Sequence, residues 1–269
     1  PLPEQRQIAT ILSTWDKAIE KLDQLIKKKR ELKKGLMQQL LTGQLRFPEF
    51  VPEGGTKYKE TKLGKIPEEW EVVRLTDIAS FRNGKAHEKN ISEVGEFILV
   101  NSKFISTEGD IIKRTDINLS PLNQGEITMV MSDIPNGRAI AKCFFIEKNG
   151  LYTLNQRICA IKAEHVDSRY LYYALNRNSY YLRFDNGVSQ TNLRKDQVLS
   201  CPLRIPSFSE QFYIAEVLSN SEKEIEKLEQ EKDKLQLQKK GLIQQLLTGA
   251  VRVKPLANTL NPLNEKKNC

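Results

Sequence analysis

This 269-residue sequence is poor in the residues that catalysis and metal binding usually require. Its two histidines, His87 and His165, are isolated, with no cysteine or acid at a spacing that would complete a ligand set or a base. The four cysteines, Cys143, Cys159, Cys201 and Cys269, lie far apart without a C-x-x-C pair. Neither a zinc site nor a disulfide framework is indicated, and a reducing, intracellular compartment is expected. No glycine loop of the G-x-G-x-x-G or Walker kind occurs, so phosphate cradling has no support. Glu60-Thr61-Lys62 has the form of the Glu-x-Lys end of a nuclease metal site, but no acid is placed to complete it. The Glu and Lys spacings over 222–234 are ordinary charged helix faces. No run of 18 apolar residues is present, and no charged-then-apolar leader precedes the first helical stretch. Neither a membrane span nor secretion is expected, and the location implied is cytoplasmic.

What the sequence does have is a repeat. Gly35-Leu36-Met37-Gln38-Gln39-Leu40-Leu41-Thr42-Gly43 returns as Gly241-Leu242-Ile243-Gln244-Gln245-Leu246-Leu247-Thr248-Gly249, and a shift of 206 positions holds the match over about 50 residues without a gap. Glu4-Gln5 falls on Glu210-Gln211, Ile8-Ala9 on Ile214-Ala215, and Ile19-Glu20-Lys21-Leu22 on Ile225-Glu226-Lys227-Leu228. Two copies are too few for a solenoid, so they should pair with each other or with partners. In each copy Ser13-Thr14-Trp15-Asp16 and Ser219-Asn220-Ser221-Glu222 have the form of a capping box, which predicts a short helix, a break and a long helix. Ile19, Leu22, Ile26, Leu36 and Leu40 fall on a and d positions of one heptad frame, as do Ile225, Leu228, Leu235, Leu242 and Leu246. Lys29, Lys33, Lys232 and Lys239 interrupt it. A narrow seam with gaps suits a two-helix coiled coil that leaves one side for another protein, and Gly43 and Gly249 supply the left-handed caps.

The net charge of +8 is unevenly spread: residues 1–46 hold ten Lys/Arg against five Asp/Glu, residues 207–254 eight against eight, and the stretch between is about +2. A solvated helix face explains the surplus as well as a nucleic-acid partner does. The chain opens at Pro1-Leu2-Pro3-Glu4-Gln5 without a methionine, whereas the second copy is reached from the strand-like Cys201-Pro202-Leu203-Arg204-Ile205-Pro206. The first copy therefore looks cut from an equivalent domain upstream, as in a fragment, a natural half-length chain or a redesigned protein.

Between the copies, Pro and Gly residues over 47–57 mark a linker. A strand near Glu71–Arg74, a turn at Leu75–Ala79 and a strand into Phe81 follow. Apolar runs then recur at Phe97–Val100, Ile127–Met131, Ala139–Ile146 and Arg157–Ile161 with glycine punctuation, the pattern of a strand-rich core. Asp167-Ser168 caps a helix whose Leu171, Ala174, Leu175 and Leu182 form one stripe, and Leu193–Leu199 is a second short helix. Trp70 and the tyrosines Tyr170, Tyr172, Tyr173, Tyr180 and Tyr181 read as packing. The fold class expected is α/β, of the α+β kind: one β-rich globular domain over 58–206, flanked by two long helices paired as an antiparallel coiled coil. Residues 1–46 and 207–250 are the two helical repeats, and 251–269 is expected to be a disordered tail.

The polar and basic residues of the expected loops are Arg82, Asn83, Lys85, Lys103, Lys113, Arg114, Arg138, Asn155, Gln156, Arg157, Gln190, Asn192, Arg194 and Lys195. Base reading needs this chemistry, with Arg or Lys donating to guanine and Asn or Gln pairing with adenine, while other cations hold phosphates. Surface solvation is the plain alternative for any one of them.

The order of motifs is more specific. Leu63-Gly64-Lys65-Ile66-Pro67-Glu68-Glu69-Trp70-Glu71-Val72, then Gly187-Val188-Ser189-Gln190-Thr191-Asn192-Leu193, then Ile205-Pro206 with Glu210-Gln211 and Ile214-Ala215, closing on Gly241–Gly249, resembles the specificity subunit of type I restriction–modification enzymes over roughly residues 1–254. The resemblance implies that 58–206 is a target-recognition domain reading one half of a split DNA site. It implies that the repeats are spacers that bind methyltransferase subunits, and that a restriction and translocation subunit joins the complex. This chain would then be no enzyme: S-adenosylmethionine, ATP and Mg belong to the partner subunits, and no methylase motif of the Asn-Pro-Pro-Tyr kind is present. The family has two recognition domains where this chain has one, so self-association is a further expectation. The competing interpretation is a coiled-coil adaptor whose globular domain binds protein or peptide.

Overall fold

The computed structural model describes residues 2–133, 139–185 and 190–253. In chain order the elements begin with α1 (Leu2–Leu40), β1 (Tyr58–Thr61), β2 (Gly64–Pro67), β3 (Glu71–Arg74), β4 (Ala79–Asn83), β5 (Phe97–Val100) and α2 (Ser102–Ser106). Next come β6 (Arg114–Thr115), β7 (Ile127–Val130), β8 (Ser132–Asp133), β9 (Cys143–Phe145), β10 (Tyr152–Leu154) and β11 (Ile158–Ala163). The last are α3 (Ser168–Leu175), α4 (Ser179–Leu182), β12 (Thr191–Asn192), α5 (Lys195–Leu199), β13 (Pro202–Ile205) and α6 (Phe208–Leu247). They form two compact units, residues 1–35 with 219–269, and residues 36–218.

The first unit is an antiparallel helical pair. Asp16 meets Lys239, Asp23 meets Lys232 at 3.1 Å, Lys29 meets Glu224 at 2.7 Å and Lys33 meets Glu222, so one partner's number falls as the other's rises. The four lysines that interrupt the heptads in sequence are thus each matched by an acid on the opposite helix. Exposed pairs of this kind contribute roughly 0–1 kcal/mol each, so they fix orientation and register more than stability. The apolar seam supplies the burial: Ile26, Ile225 and Leu246 are buried, and Ile19, Leu22, Leu228, Leu235 and Leu242 are half-buried.

The helix breaks that the capping chemistry predicts are absent. Both helices run unbroken through Ser13–Asp16 and Ser219–Glu222, over 39 and 40 residues. A cap requires the backbone to leave helical geometry. Here the Thr10 and Thr14 hydroxyls donate back to the Arg6 and Thr10 carbonyls, each at 3.0 Å, as hydroxyls inside a helix do. Asp16 and Glu222, which would close the boxes, reach across to lysines instead. Within the stretch from 251 expected to be a disordered tail, the Val251 N–H donates to the Gln245 carbonyl at 3.1 Å and Arg252 pairs with Glu4; residues 254–269 lie outside the described residues.

The second unit is built on a four-stranded sheet of order β4-β11-β7-β9, antiparallel throughout. Side chains alternate across a strand, and both faces are covered. Cys159, Ile161, Ile127 and Met129 enter one cluster with Leu171, Leu175, Tyr181, Val198 and Leu203. Ile158, Ala160 and Val130 enter another with Ile98, Val100, Ile105 and Leu154, beneath the sheet β10-β5-β6. Two-sided burial is why these strands read as continuous apolar runs. The run Ala139–Ile146 gives strand only over Cys143–Phe145, because Ala141 takes a left-handed φ of 56°. The stripe expected in a single helix is likewise divided: α3 ends at Leu175, Arg177 is left-handed at φ 56°, and the Asn178 side chain caps α4. Asn-Arg-Asn at 176–178 favours that turn.

A third cluster takes the ends of the long helices into this unit. Leu40, Ile214, Ala215 and Leu218 pack around Trp70, Tyr170, Tyr173 and Ile66, all buried. Tyr181 is buried as well, and Tyr172 and Tyr180 are half-buried, so the aromatic residues are packing elements. The stretch expected as a linker is also engaged: a single helical turn spans Pro48–Phe50, and the Phe47 and Phe50 rings lie 5.9 and 5.3 Å from Tyr213.

Candidate nucleic-acid interface

Strand register brings together residues that sequence order keeps far apart. Asn83 is paired with Cys159, Ile158 with Val130, and Met129 with Cys143. One end of the central sheet therefore carries the loop after β4, the loop before β11 and the chain leaving β7. Lys85 bridges to Asn155, and the Gly84 N–H donates to the Ile158 carbonyl at 3.1 Å. A Cβ at Gly84 would lie 2.0 Å from the Asn155 carbonyl oxygen, so only glycine permits this approach. β12 pairs with β8, Thr191 on Asp133 and Asn192 on Ser132, and the Leu193 N–H donates to the Met131 carbonyl at 2.7 Å.

Asn83, Lys85, Gln156, Arg157, Gln190, Asn192 and Arg194 are all exposed at this end. The Gln190 amide donates to the Ser132 hydroxyl at 2.7 Å and to Asn192 at 3.3 Å. Arg194 lies 3.6 Å from the exposed Asp196, and the Lys195 ammonium stands 5.7 Å from the centre of the Phe81 ring. Lys103, on α2, and Lys113, just before β6, flank the neighbouring sheet: the Leu99 N–H donates to the Lys113 carbonyl, and the Asn155 N–H to the Val100 carbonyl, two residues before α2. Both lysines are exposed.

Two arginines have other work. The Arg82 guanidinium donates to Glu126 at 3.0–3.2 Å, to the Ser120 hydroxyl at 2.9 Å and to the Pro121 carbonyl at 2.6 Å. Glu126 is only 7% exposed there, so moving Arg82 to a base edge would strand a buried carboxylate. Arg114 turns to the carbonyls of Gly95 and Glu96 at 3.3 and 3.4 Å, at the start of β5. Arg138 lies outside the described residues, as do Gly187, Val188 and Ser189.

The apolar residues expected to bind a partner are taken up inside each unit. Ile19, Leu22, Ile26, Ile225, Leu228, Leu235, Leu242 and Leu246 face the seam, and Leu40, with Leu36 beside it, packs into the cluster around Trp70. Among the described residues of the first unit, the large apolar side chains that remain outward are Leu25, Leu32 and Leu237, with Leu2, Leu247 and Val251 at its ends.

Sequence reasoning set His87 aside as isolated and did not single out Glu88. His87 is fully buried, with Nδ1 2.7 Å from the Lys85 carbonyl oxygen and Nε2 2.9 Å from the Thr153 hydroxyl. Its partners are a main-chain atom and a residue 66 positions away, so no local spacing marked it. Glu88 accepts from the Gln156 amide at 2.7 Å. Among the described residues no group of His, Cys, Asp and Glu could hold a metal ion, and no helix is long and apolar enough to cross a membrane. Burial pushes the Cys201 thiol up to about 11 and the Cys159 thiol to about 12, far from the range of a nucleophile.

The family model for the type I restriction modification DNA specificity domain matches residues 67–237. The chain is 29% identical over 276 residues to the type I restriction enzyme MjaVIII specificity subunit of Methanocaldococcus jannaschii, covering 95% of this chain and 62% of that protein. It is 27% identical over 264 residues to the putative MjaX specificity subunit of the same organism, covering 94% and 59%. The S subunit of a type I restriction-modification system from M. genitalium shares the fold, with a TM-score of 0.59 at 18% identity over 90% of this chain and 60% of that one. The HsdS subunit from Thermoanaerobacter tengcongensis gives a TM-score of 0.51 at 16% identity, over 93% and 60%. The chain thus spans about three fifths of the length of these relatives.

Proposed function

The chain belongs to the type I restriction–modification DNA specificity family, and from that premise we propose that its globular domain, residues 58–206, reads one half of a bipartite double-stranded DNA target. The observation that carries this reading is the convergence of Asn83, Lys85, Gln156, Arg157, Gln190, Asn192 and Arg194 on one end of the central sheet. Side chains that offer both donors and acceptors can address base edges, and Lys103, Lys113 and Lys195 beside them suit phosphates. Arg82 and Arg114 are assigned to holding loops rather than to bases.

In this proposal the chain is not an enzyme. The helical repeats, 1–46 and 207–250, form a coiled-coil spacer that docks methyltransferase subunits, with Leu25, Leu32 and Leu237 as outward apolar contacts. Adenine methylation with S-adenosylmethionine, and ATP- and Mg-dependent translocation and cleavage, would reside in the partner subunits of a cytoplasmic complex. Reading a complete target would take a second recognition domain, which self-association of this chain would supply.

Selection from a random duplex library near 0.15 M salt, with the chain alone and with a methyltransferase subunit, tests the proposal. The expected result is a short motif of fixed base pairs. An inverted second copy at constant spacing would reveal self-association. Pools with no enrichment under either condition would overturn DNA reading.

A further inference from the structure

A carboxylate decides the orientation of the Gln156 amide. Its nitrogen donates to Glu88 Oε1 at 2.7 Å. Because a carboxylate only accepts, the reversed amide would set oxygen against oxygen. The nitrogen carries a second N–H and the carbonyl oxygen two lone pairs; no described residue takes either, and the side chain is exposed. A donor beside an acceptor in one plane is complementary to the major-groove edge of adenine, which shows the N7 acceptor next to the N6 amino donor. Guanine shows two acceptors at the corresponding place.

Glu88 is itself held. It opens a single helical turn over Glu88–Asn90, directly after the buried His87. A carbonyl oxygen cannot donate, so His87 Nδ1 carries the proton toward Lys85, and Nε2 lies 2.9 Å from the Thr153 hydroxyl, which is also within reach of the Ser120 carbonyl at 3.4 Å. Thr153 is fully buried on β10 and also receives the Ser120 N–H at 3.3 Å. The Lys85–Asn155 bridge and the close approach at Gly84 clamp the segment bearing Glu88 to the segment bearing Gln156. The amide is therefore presented from two loops fixed to each other, which is the preorganisation a specific base contact requires.

We propose that Gln156 reads an adenine in the major groove and that Glu88 is the positioning residue that sets the polarity of its amide. This inference rests on the DNA-reading function proposed above. The test is duplex selection with the full chain and with the Gln156→Leu and Glu88→Gln variants at one salt concentration, each variant first checked for an unchanged melting midpoint.

The wild-type motif is expected to contain an adenine at a position that Gln156→Leu alone relaxes, with the other positions retained. Replacing that adenine by 7-deazaadenine, which lacks the N7 acceptor, should weaken wild-type binding roughly five- to a hundredfold and leave Gln156→Leu binding unchanged. Glu88→Gln, which can donate as well as accept, should let the amide turn and so blur the same position. A Gln156→Leu pool identical to the wild-type pool would overturn the adenine assignment while leaving DNA reading intact. An unchanged Glu88→Gln pool would remove Glu88 from its role, and a wild-type pool without any motif would remove both the reading and this inference.

Discussion

Glu210 with Arg46, and Glu4 with Arg252, are the same clasp built twice. Both partners are displaced by 206 positions, and in each case the acid of one repeat meets the arginine of the other. In the second unit Arg46 Nε and Nη2 donate to the two Glu210 oxygens at 2.8 and 2.9 Å. In the first unit Arg252 Nε and Nη2 donate to the two Glu4 oxygens at 2.7 and 2.8 Å. The geometries agree and the surroundings do not. Glu210 also accepts from the Trp70 indole at 3.0 Å, and Arg46 reaches Glu69 at 3.1 Å. The Arg46 and Glu210 side chains are 5% and 2% exposed, whereas Arg252 is 70% and Glu4 13% exposed, so the Glu4–Arg252 clasp is open on its arginine side. The neighbours follow suit: Ile214 and Leu218 are buried where Ile8 and Leu12 are half-buried. A repeat therefore encodes a geometry, and the packing around each copy decides what that geometry contributes.

The largest expected effect comes from breaking the buried clasp. Glu210→Ala leaves the Arg46 charge without its bidentate partner and the Trp70 N–H without an acceptor, so a loss of about 3–5 kcal/mol is expected. For a unit of this size that lowers the melting midpoint by about 6–20 °C. Glu4→Ala, the same substitution one repeat away, should leave the midpoint within experimental error. Equal shifts in the two variants would break the comparison.

The helix caps give a second, smaller contrast. Gly43 and Gly249 both sit at φ +73°, where an L side chain is strained. A Cβ on Gly43 would lie 2.5 Å from Pro67 Cδ, against the Trp70 cluster, but a Cβ on Gly249 meets nothing within 4 Å. Gly249→Ala should cost the conformational term alone, about 1–2 kcal/mol, and Gly43→Ala that term plus about 1–3 kcal/mol of overpacking. Urea denaturation of both variants measures the difference.

Thiol labelling refines the contrast without altering either clasp's geometry in the parent protein. Cys143, Cys159 and Cys201 are buried in the second unit, and burial holds all three thiols protonated at pH 8. They should react with a thiol reagent only through opening of that unit. Glu210→Ala should speed their modification about tenfold for each 1.4 kcal/mol of stability lost, and Glu4→Ala should not change it.

Much of this architecture was legible because it depends on local pattern. The 206-residue shift, the heptad positions and the glycine-bounded apolar runs all follow from spacing, and the helices and strands lie largely where spacing puts them. Features that depend on a distant partner were not. Ser13–Asp16 and Ser219–Glu222 have capping-box form, yet the helices continue and the acids pair across the seam instead. Lys29 and Lys33 read as gaps in the heptads until Glu224 and Glu222 are brought opposite them. Arg82 has the composition of a base reader, and only the fold supplies Glu126, 44 positions away, to engage it. At the candidate interface the residue types could be nominated from sequence, but their meeting at one sheet end is a consequence of strand register. Glu88 was invisible for the same reason, since its relation to Gln156 spans 68 positions.

The smallest effect separates geometry from energy at the exposed clasp. The hydrogen bond from Arg252 holds the Glu4 carboxyl below its ordinary value of 4.5. A folded value below the unfolded one means that the contribution to stability is present above the unfolded pKa and fades as pH falls through the folded one. Carbon-detected NMR titration should therefore find Glu4 titrating below the exposed glutamates, and Arg252→Ala should return it toward their range. The two proteins should differ slightly in stability at pH 7 and converge on acidification. An unchanged Glu4 midpoint in Arg252→Ala would mean that the exposed clasp does not hold in solution. The repeat would then encode only the helices, and the closed clasp around Glu210 would be the work of Trp70 and its cluster.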